Sequence, residues 1–326
     1  EIDGKVVMTS DEAIMHTEGP RSIVVIGGGY IGMEFAYVYN SFGSKVTIVE
    51  MEKQIMPGTD EEVAKEAKKI FSRQGMTILN ETVYKSFRKT RGSATVTVEN
   101  VVSGEQSKIK ADMVLVSIGR RAVANAAPTS FAFYGTGDSI GLEDVGIDLD
   151  ERGFIKTDKN YMTTCSNIYA IGDVIGGPML AHKASEEGVV AVEKMNGLDS
   201  RVHYSSIPGC VYCQPEVAMI GLTEKQARDK GYDVDIGKFP FRAVGKAVAV
   251  GETDGFVKMI FDSKTKELLG SHIIGHGATE MIAEIGVAKT LETTPYEIAT
   301  TQHAHPTLSE AVMEAALDAM GRVRNF

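Results

Sequence analysis

The sequence predicts two modules of different class: an α/β module with a parallel sheet in its first part, and an α+β module at its C-terminal end. Three observations carry this. A β-branched run, Ser22-Ile23-Val24-Val25-Ile26, leads through a glycine cluster into a helical stretch. A second such run, Lys45-Val46-Thr47-Ile48-Val49, follows that helix and stops at Glu50. After Gly197 the pattern changes to strand-like runs interrupted by helices.

The elements follow in order. Ser22 to Ile26 suits a buried parallel strand. Tyr30 to Phe42 reads as a helix closed by Gly43. Asp60 to Arg73 is a charged amphipathic helix with Gly75 just beyond it, and Met76 to Leu79 is a third strand. Residues 83–110 alternate around two turn signals, Arg91-Gly92 and Ser103-Gly104, and predict an antiparallel meander. Asp112 to Val116 is a further buried strand, ending at Ile118-Gly119-Arg120-Arg121. Residues 122–150 are weakly patterned and hold a domain boundary. Ile168-Tyr169-Ala170-Ile171 reads as a strand ending at Gly172-Asp173, and Leu180 to Met195 as a helix. Strand-like runs follow at 211–220, 232–241, 256–262 and 268–275, with helices near 223–230, 277–292 and 307–320.

Composition restricts the partners. In 326 residues, 44 acidic side chains outnumber 34 basic ones, for a net charge of -10. Such a surface repels nucleic acid and anionic membranes. No apolar run approaches the roughly 18 residues that span a bilayer. Three cysteines, Cys165, Cys210 and Cys213, do not form a secreted disulfide framework, which points to a reducing compartment: cytosol, mitochondrial matrix or plastid stroma. Cys210-Val211-Tyr212-Cys213 has redox or metal spacing, but strand alternation sends its two sulfurs to opposite faces. The opening Glu1-Ile2-Asp3-Gly4-Lys5 is neither a signal peptide nor an initiator start, and reads as a chain entered midway.

Gly27-Gly28-Gly29-Tyr30-Ile31-Gly32 fits G-x-G-x-x-G between a strand and a helix. Gly27 permits the tight turn, Gly29 lets a pyrophosphate approach the backbone, and Gly32 lets helix and strand pack closely. The helix N-terminus offers N–H groups and partial positive charge to phosphate. Glu50 stands about 20 residues on, where a carboxylate accepts from both ribose hydroxyls and repels a 2′-phosphate. Together they predict a Rossmann-type domain that prefers NAD to NADP, with Gly28, Tyr30 and Ile31 inside the binding turn.

Thr163-Thr164-Cys165-Ser166-Asn167-Ile168-Tyr169-Ala170-Ile171-Gly172-Asp173-Val174 resembles the second flavin motif of the two-dinucleotide-binding-domain flavoproteins. The resemblance makes Asp173 a ligand of the FAD ribityl chain. Gly177-Pro178-Met179-Leu180-Ala181-His182-Lys183-Ala184 narrows the match to dihydrolipoamide dehydrogenases, in which Met179, Leu180, Ala181 and His182 are flavin contacts at a helix N-terminus. The same resemblance pairs Glu34 near the flavin with a lysine of an N-terminal segment. It sets Tyr30 as a gate over the nicotinamide pocket, and gives Val83 and Gly119 adenine-side and nicotinamide-side NAD contacts.

His303-Ala304-His305-Pro306-Thr307-Leu308-Ser309-Glu310 is the most specific motif in the chain. Resemblance makes His305 the catalytic base and Glu310 its orienting carboxylate, with His303 structural. The spacing suits this, since Thr307 or Ser309 can start a helix whose first turn carries Glu310. A carboxylate on one ring nitrogen fixes the tautomer and leaves the other free to take a thiol proton. Metal ligands are not expected.

The implied fold is an α/β Rossmann-type NAD domain (20–125), a partial FAD-domain segment (126–203) and a C-terminal α+β dimerisation domain (204–326), with 1–19 as a linker from the FAD domain. The implied activity is oxidation of dihydrolipoamide by NAD through a disulfide and FAD. The family's N-terminal FAD half and Cys-x4-Cys pair are not in this sequence, so the chain alone is expected to be inactive. The implied partners are a second copy, forming a homodimer in which each His305 serves the other subunit, and lipoyl-bearing proteins of 2-oxoacid dehydrogenase or glycine-cleavage complexes. The apolar side of Glu310 to Met320 suits either that interface or a core. A non-catalytic NAD-binding scaffold and another disulfide reductase of the same family stand as alternatives.

Overall fold

A computed structural model describes residues 2–124 and 141–324. They fall into two compact units, Glu1–Ile118 with Ser205–Phe326, and Gly119–Tyr204.

The first unit opens with strand β1 (Val7–Met8) and helix α1 (Ser10–Ala13), then β2 (Ser22–Ile26), α2 (Tyr30–Ser41), β3 (Lys45–Val49), α3 (Glu61–Arg73) and β4 (Thr77–Leu79). A meander of β5 (Thr82–Thr90), β6 (Ser93–Asn100) and β7 (Gln106–Ala111) leads into β8 (Met113–Val116). Strands in the order β1-β8-β2-β3-β4 form an all-parallel sheet. Alternation along β2 explains its two covered faces. Ile23 and Val25 join Met33, Ala36, Ile70 and Phe71 of the helices, while Val24 and Ile26 join Ala94, Val96 and Val98 of the meander. Each such valine, isoleucine, methionine or phenylalanine, fully buried, stabilises the fold by about 1.5–3 kcal/mol. Within residues 1–19, expected as a linker, Val7 and Met8 are fully buried and pair with Val114 and Leu115.

Helix α4 (Ala181–Met195) belongs to the second unit, and the C-terminal part of the first unit follows it in the chain. That part contains β9 (Gly209–Val211), β10 (Glu216–Gly221), α5 (Glu224–Asp229), β11 (Val234–Pro240), α6 (Gly245–Val250), β12 (Phe256–Asp262), β13 (Leu268–Gly275), α7 (Ala278–Thr290), α8 (Pro295–Thr300) and α9 (Glu310–Ala319). The strands form an antiparallel sheet in the order β11-β12-β13-β10-β9. The run expected at 211–220 is two strands, parted at Tyr212 to Pro215, because proline cannot donate to a ladder. The short helices α6 and α8 lay outside the sequence expectation. Ala311, Val312, Ala315, Ala316 and Leu317 of α9 are buried against Val257, Phe239 and Ile282. That face of α9 is core, not interface.

One buried cation ties the two parts together. Lys258 on β12 lies 3.0 Å from Asp60, 2.8 Å from Glu62 and 2.8 Å from Glu224. Asp60 also caps α3 through the Glu62 amide.

In the second unit, α4 begins at Ala181, with Leu180 as its N-cap. Ile168 to Ile171, expected as a strand, forms only an isolated bridge between Tyr169 and Met162. Positive φ at Asn167 (71°) and Gly172 (76°) brackets the segment. Gly172–Ile175 is a 3₁₀ turn, so Asp173 sits in a turn rather than on a strand end. The boundary expected at 125/126 lies outside the described residues.

Candidate functional site

The glycine turn between β2 and α2 is shaped mostly by its own backbone. Gly27 adopts φ 104°, and a Cβ there would fall 2.2 Å from the Ser117 carbonyl oxygen. A Cβ on Gly32 would fall 2.0 Å from the Gly27 carbonyl oxygen. At Gly29 a Cβ would meet nothing within 4 Å. Gly29 is the N-cap of α2, and no side chain caps that end, so the first-turn N–H groups of Tyr30, Ile31 and Gly32 have no intrahelical acceptor. An open approach over uncapped amides fits a pyrophosphate.

Glu50 is buried at the end of β3. Its Oε2 accepts from the Gly28 amide at 2.6 Å and its Oε1 from the Glu52 amide at 2.8 Å. The carboxylate expected to receive two hydroxyls therefore first fixes the turn; each oxygen keeps a further lone pair. The Thr82 amide donates to the Glu50 carbonyl at 2.9 Å, which sets Val83 one residue from the acid-bearing strand end. Tyr30 donates to Met219 Sδ at 3.4 Å on β10.

Glu34, on α2, accepts from the Tyr212 amide at 2.9 Å. Among the described residues this amide, and not a lysine, is its partner. Beside it the two cysteines part. Cys210 packs with the core of the C-terminal sheet and Cys213 with that of the parallel sheet. Burial raises both thiols above their ordinary range, which leaves little reactive thiolate.

In the second unit Gly119 has φ 131°. The neighbouring Arg120 donates to Asp173 at 2.5 Å and to the Met179 carbonyl at 3.1 Å, joining two of the positions expected to touch flavin. The N-terminus of α4 has no side-chain cap, and Ala181 and His182 are exposed there. Beneath it lies a buried polar network. Lys183 Nζ donates to the carbonyls of Gly172 (3.1 Å) and Gly176 (3.0 Å) and to Glu187 (3.1 Å). Glu187 accepts in turn from the Gly172 amide at 2.7 Å and the Tyr204 hydroxyl at 2.7 Å. Sequence reasoning missed this clamp because an i,i+4 Lys–Glu pair on a helix ordinarily reads as a solvated surface pair.

His305 and Glu310 meet. His305 Nδ1 lies 2.9 Å from Glu310 Oε1, and Glu310 Oε2 accepts from the Thr307 amide at 2.9 Å. The imidazole is 77% exposed and the carboxylate 16%. Burial works against the Glu310 charge, but the Thr307 amide and His305 hold its carboxyl below the usual range. Ser309 occupies the N-cap position with helical dihedrals and no side-chain cap. Two residues back, His303 bonds Glu284 at 2.6 Å.

A parallel dinucleotide-type sheet with this turn, joined to an antiparallel module that presents a histidine–carboxylate pair, defines a pyridine-nucleotide oxidoreductase architecture. The family model "Pyridine nucleotide-disulphide oxidoreductase" matches residues 1–188, and that family's dimerisation-domain model matches 207–316. The chain belongs to this family. It is 43% identical over 327 residues to a dihydrolipoyl dehydrogenase of Bacillus subtilis, covering 100% of this chain and 66% of that protein. It is 40% identical over 316 residues to the mitochondrial dihydrolipoyl dehydrogenase of Pisum sativum, covering 97% of this chain and 60% of that protein. Among solved structures, the copper(II) complex of the HOCl-induced flavoprotein disulfide reductase RclA from Escherichia coli superposes with a TM-score of 0.84 at 27% identity, covering 95% of this chain and 66% of that one. The chain thus spans about two thirds or less of the length of these relatives.

Proposed function

We propose that this chain is the NAD-binding, base-bearing portion of a dihydrolipoamide dehydrogenase, with FAD and NAD as cofactors. The observation that carries the reading is the His305–Glu310 pair at 2.9 Å on an exposed loop. A dithiol attacks a disulfide as thiolate, and its thiol pKa lies above neutrality. With Nδ1 held by Glu310, His305 Nε2 takes the thiol proton and later returns it. The balance is dihydrolipoamide and NAD+ to lipoamide, NADH and a proton.

The chain's residues fit both cofactors. The Gly27–Gly32 turn and Glu50 receive NAD, with Val83 and Gly119 as further contacts and Tyr30 as a gate. Asp173, held by Arg120, and the uncapped end of α4 at Met179, Leu180, Ala181 and His182 receive FAD, with Glu34 also assigned to the flavin side. FAD supplies the redox relay between sulfur and nicotinamide.

The domains are assigned as NAD-binding from residue 20, FAD-segment to residue 203, and dimer-forming from 204. A homodimer is supported by the dimerisation-domain match, and lipoyl-bearing subunits of 2-oxoacid dehydrogenase or glycine-cleavage complexes are the proposed partners. The compartment in this reading is a reducing one: cytosol, mitochondrial matrix or plastid stroma. Among the described residues no helix is long and apolar enough to cross a membrane.

The test joins this chain to the N-terminal third of a curated relative and follows NADH-linked lipoamide turnover. Turnover with bound yellow flavin is expected, and His305→Gln should cut it at least 100-fold, the usual scale of general-base loss, while NAD affinity is unchanged. Full turnover by the His305→Gln protein removes His305 from the role. NAD binding without any turnover supports a scaffold instead.

A further inference from the structure

The loop carrying His305 holds a second histidine in a different state. The His303 side chain is only 4% exposed. Its Nδ1 lies 2.9 Å from the Thr301 carbonyl oxygen and its Nε2 lies 2.6 Å from Glu284 Oε1 on α7. A backbone carbonyl has no proton to give, so Nδ1 carries one. The Glu284 carboxylate oxygen, likewise, only accepts. Nε2 must then carry a proton too. A neutral imidazole has a single N–H and would face one of these acceptors with a lone pair.

We propose that His303 is a standing imidazolium and a positioning residue for the loop that carries the base: its two N–H groups tie the loop to Thr301 and to Glu284 of α7, and its charge helps keep Glu310, the partner of His305, ionised. The charged groups that act on the ring are Glu284 on α7, in direct contact, and Glu310 on α9. Glu284 is the main cause that lifts the proton affinity of His303; burial opposes it, and the Thr301 carbonyl and Glu310 add to it. His303 in turn helps hold the Glu310 carboxyl low. The same carboxylate holds His305 Nδ1 at 2.9 Å. The role of Glu310 rests on the proposed function; the charge of His303 does not.

The test is a ring-nitrogen titration of the chain labelled with nitrogen-15 histidine, independent of turnover or flavin. At about pH 7.5, a unit above the ordinary imidazole value, both His303 nitrogens are expected to be protonated. Glu284→Gln should convert the ring to a single neutral tautomer at that pH. In His303→Gln the Glu310 carboxyl midpoint, followed by its carbon-13 shift, should rise, because His303 is one of the groups that hold it low. A neutral His303 in the parent chain overturns the assignment. An unmoved Glu310 midpoint, in a His303→Gln chain whose backbone amide spectrum matches the parent, overturns the coupling. Both outcomes are readable even if the lipoamide assay fails.

Discussion

Removing Glu187 should expose how much the buried clamp under α4 depends on charge pairing. Lys183 and Glu187 have side chains 0% and 1% exposed, so neither partner can turn to water when the other goes. Glu187→Leu strips the Gly172 amide of its acceptor, takes one partner from the Tyr204 hydroxyl, and leaves the Lys183 ammonium with only the Gly172 and Gly176 carbonyls. An uncompensated buried charge costs about 3–5 kcal/mol. Lys183→Met leaves the carboxylate with two donors, the Gly172 amide and Tyr204, and should fall at or below the low end of that range. The double variant Lys183→Met with Glu187→Leu buries no charge and strands three neutral backbone groups, the Gly172 amide and the Gly172 and Gly176 carbonyls, at about 1–3 kcal/mol each. The double variant is therefore expected to cost less than the two single variants added together. Urea unfolding with amide exchange read at Gly172 and along α4 provides the assay. A Glu187→Leu cost below about 1 kcal/mol, or a double variant as costly as the two singles added, refutes the clamp.

Three further outcomes are expected. Gly32→Ala places a Cβ 2.0 Å from the Gly27 carbonyl oxygen and should destabilise by about 1–3 kcal/mol in thermal melts, whereas Gly29→Ala should melt within about 0.5 kcal/mol of the parent and weaken NAD binding in calorimetry. The His303–Glu284 pair raises the folded-state pKa of the histidine, so its stabilisation is complete below the unfolded value of about 6.5 and fades as pH rises through the raised folded value. Urea midpoints across that window should lose this slope in Glu284→Gln. Cys213 should resist a thiol reagent in the folded chain, since it is 5% exposed and its thiol is raised by burial, and react at once in denaturant.

Much of the fold was legible because its signals are local. The alternation of Ile23 and Val25 against Val24 and Ile26, and Gly43, Gly92 and Gly104 at positive φ, mark elements within a few residues of their cause. The 168–171 segment misled because a β-branched, aromatic run carries strand propensity wherever it lies, while pairing needs a partner that sequence does not display. Site residues divide the same way. His305 and Glu310 lie five apart and meet as spacing allows. Glu34 with Tyr212, separated by 178 positions, and Arg120 with Asp173, by 53, have no local sign. The last helix shows a further limit: an apolar stripe on α9 reads alike for a core and for an interface, and only packing against β11 and β12 separates them.

The three fingerprint glycines have different physical explanations, and the difference bears on whether the turn binds anything. A residue at Gly27 would need φ 104° and would meet the Ser117 carbonyl, so the fold alone requires glycine. Gly32 is required by the fold as well, through the Gly27 carbonyl. Gly29 has φ -68°, open to any residue, and its Cβ position is clear of protein within 4 Å. Glycine also gives up the side-chain cap that serine or aspartate would provide there, a loss of a few tenths of a kcal/mol. Folding therefore gives no reason for glycine at 29, and a group approaching those backbone amides from outside does. If serine at 29 stabilised the chain and left NAD affinity unchanged, that reason would fall away, and the turn would be explained by packing alone.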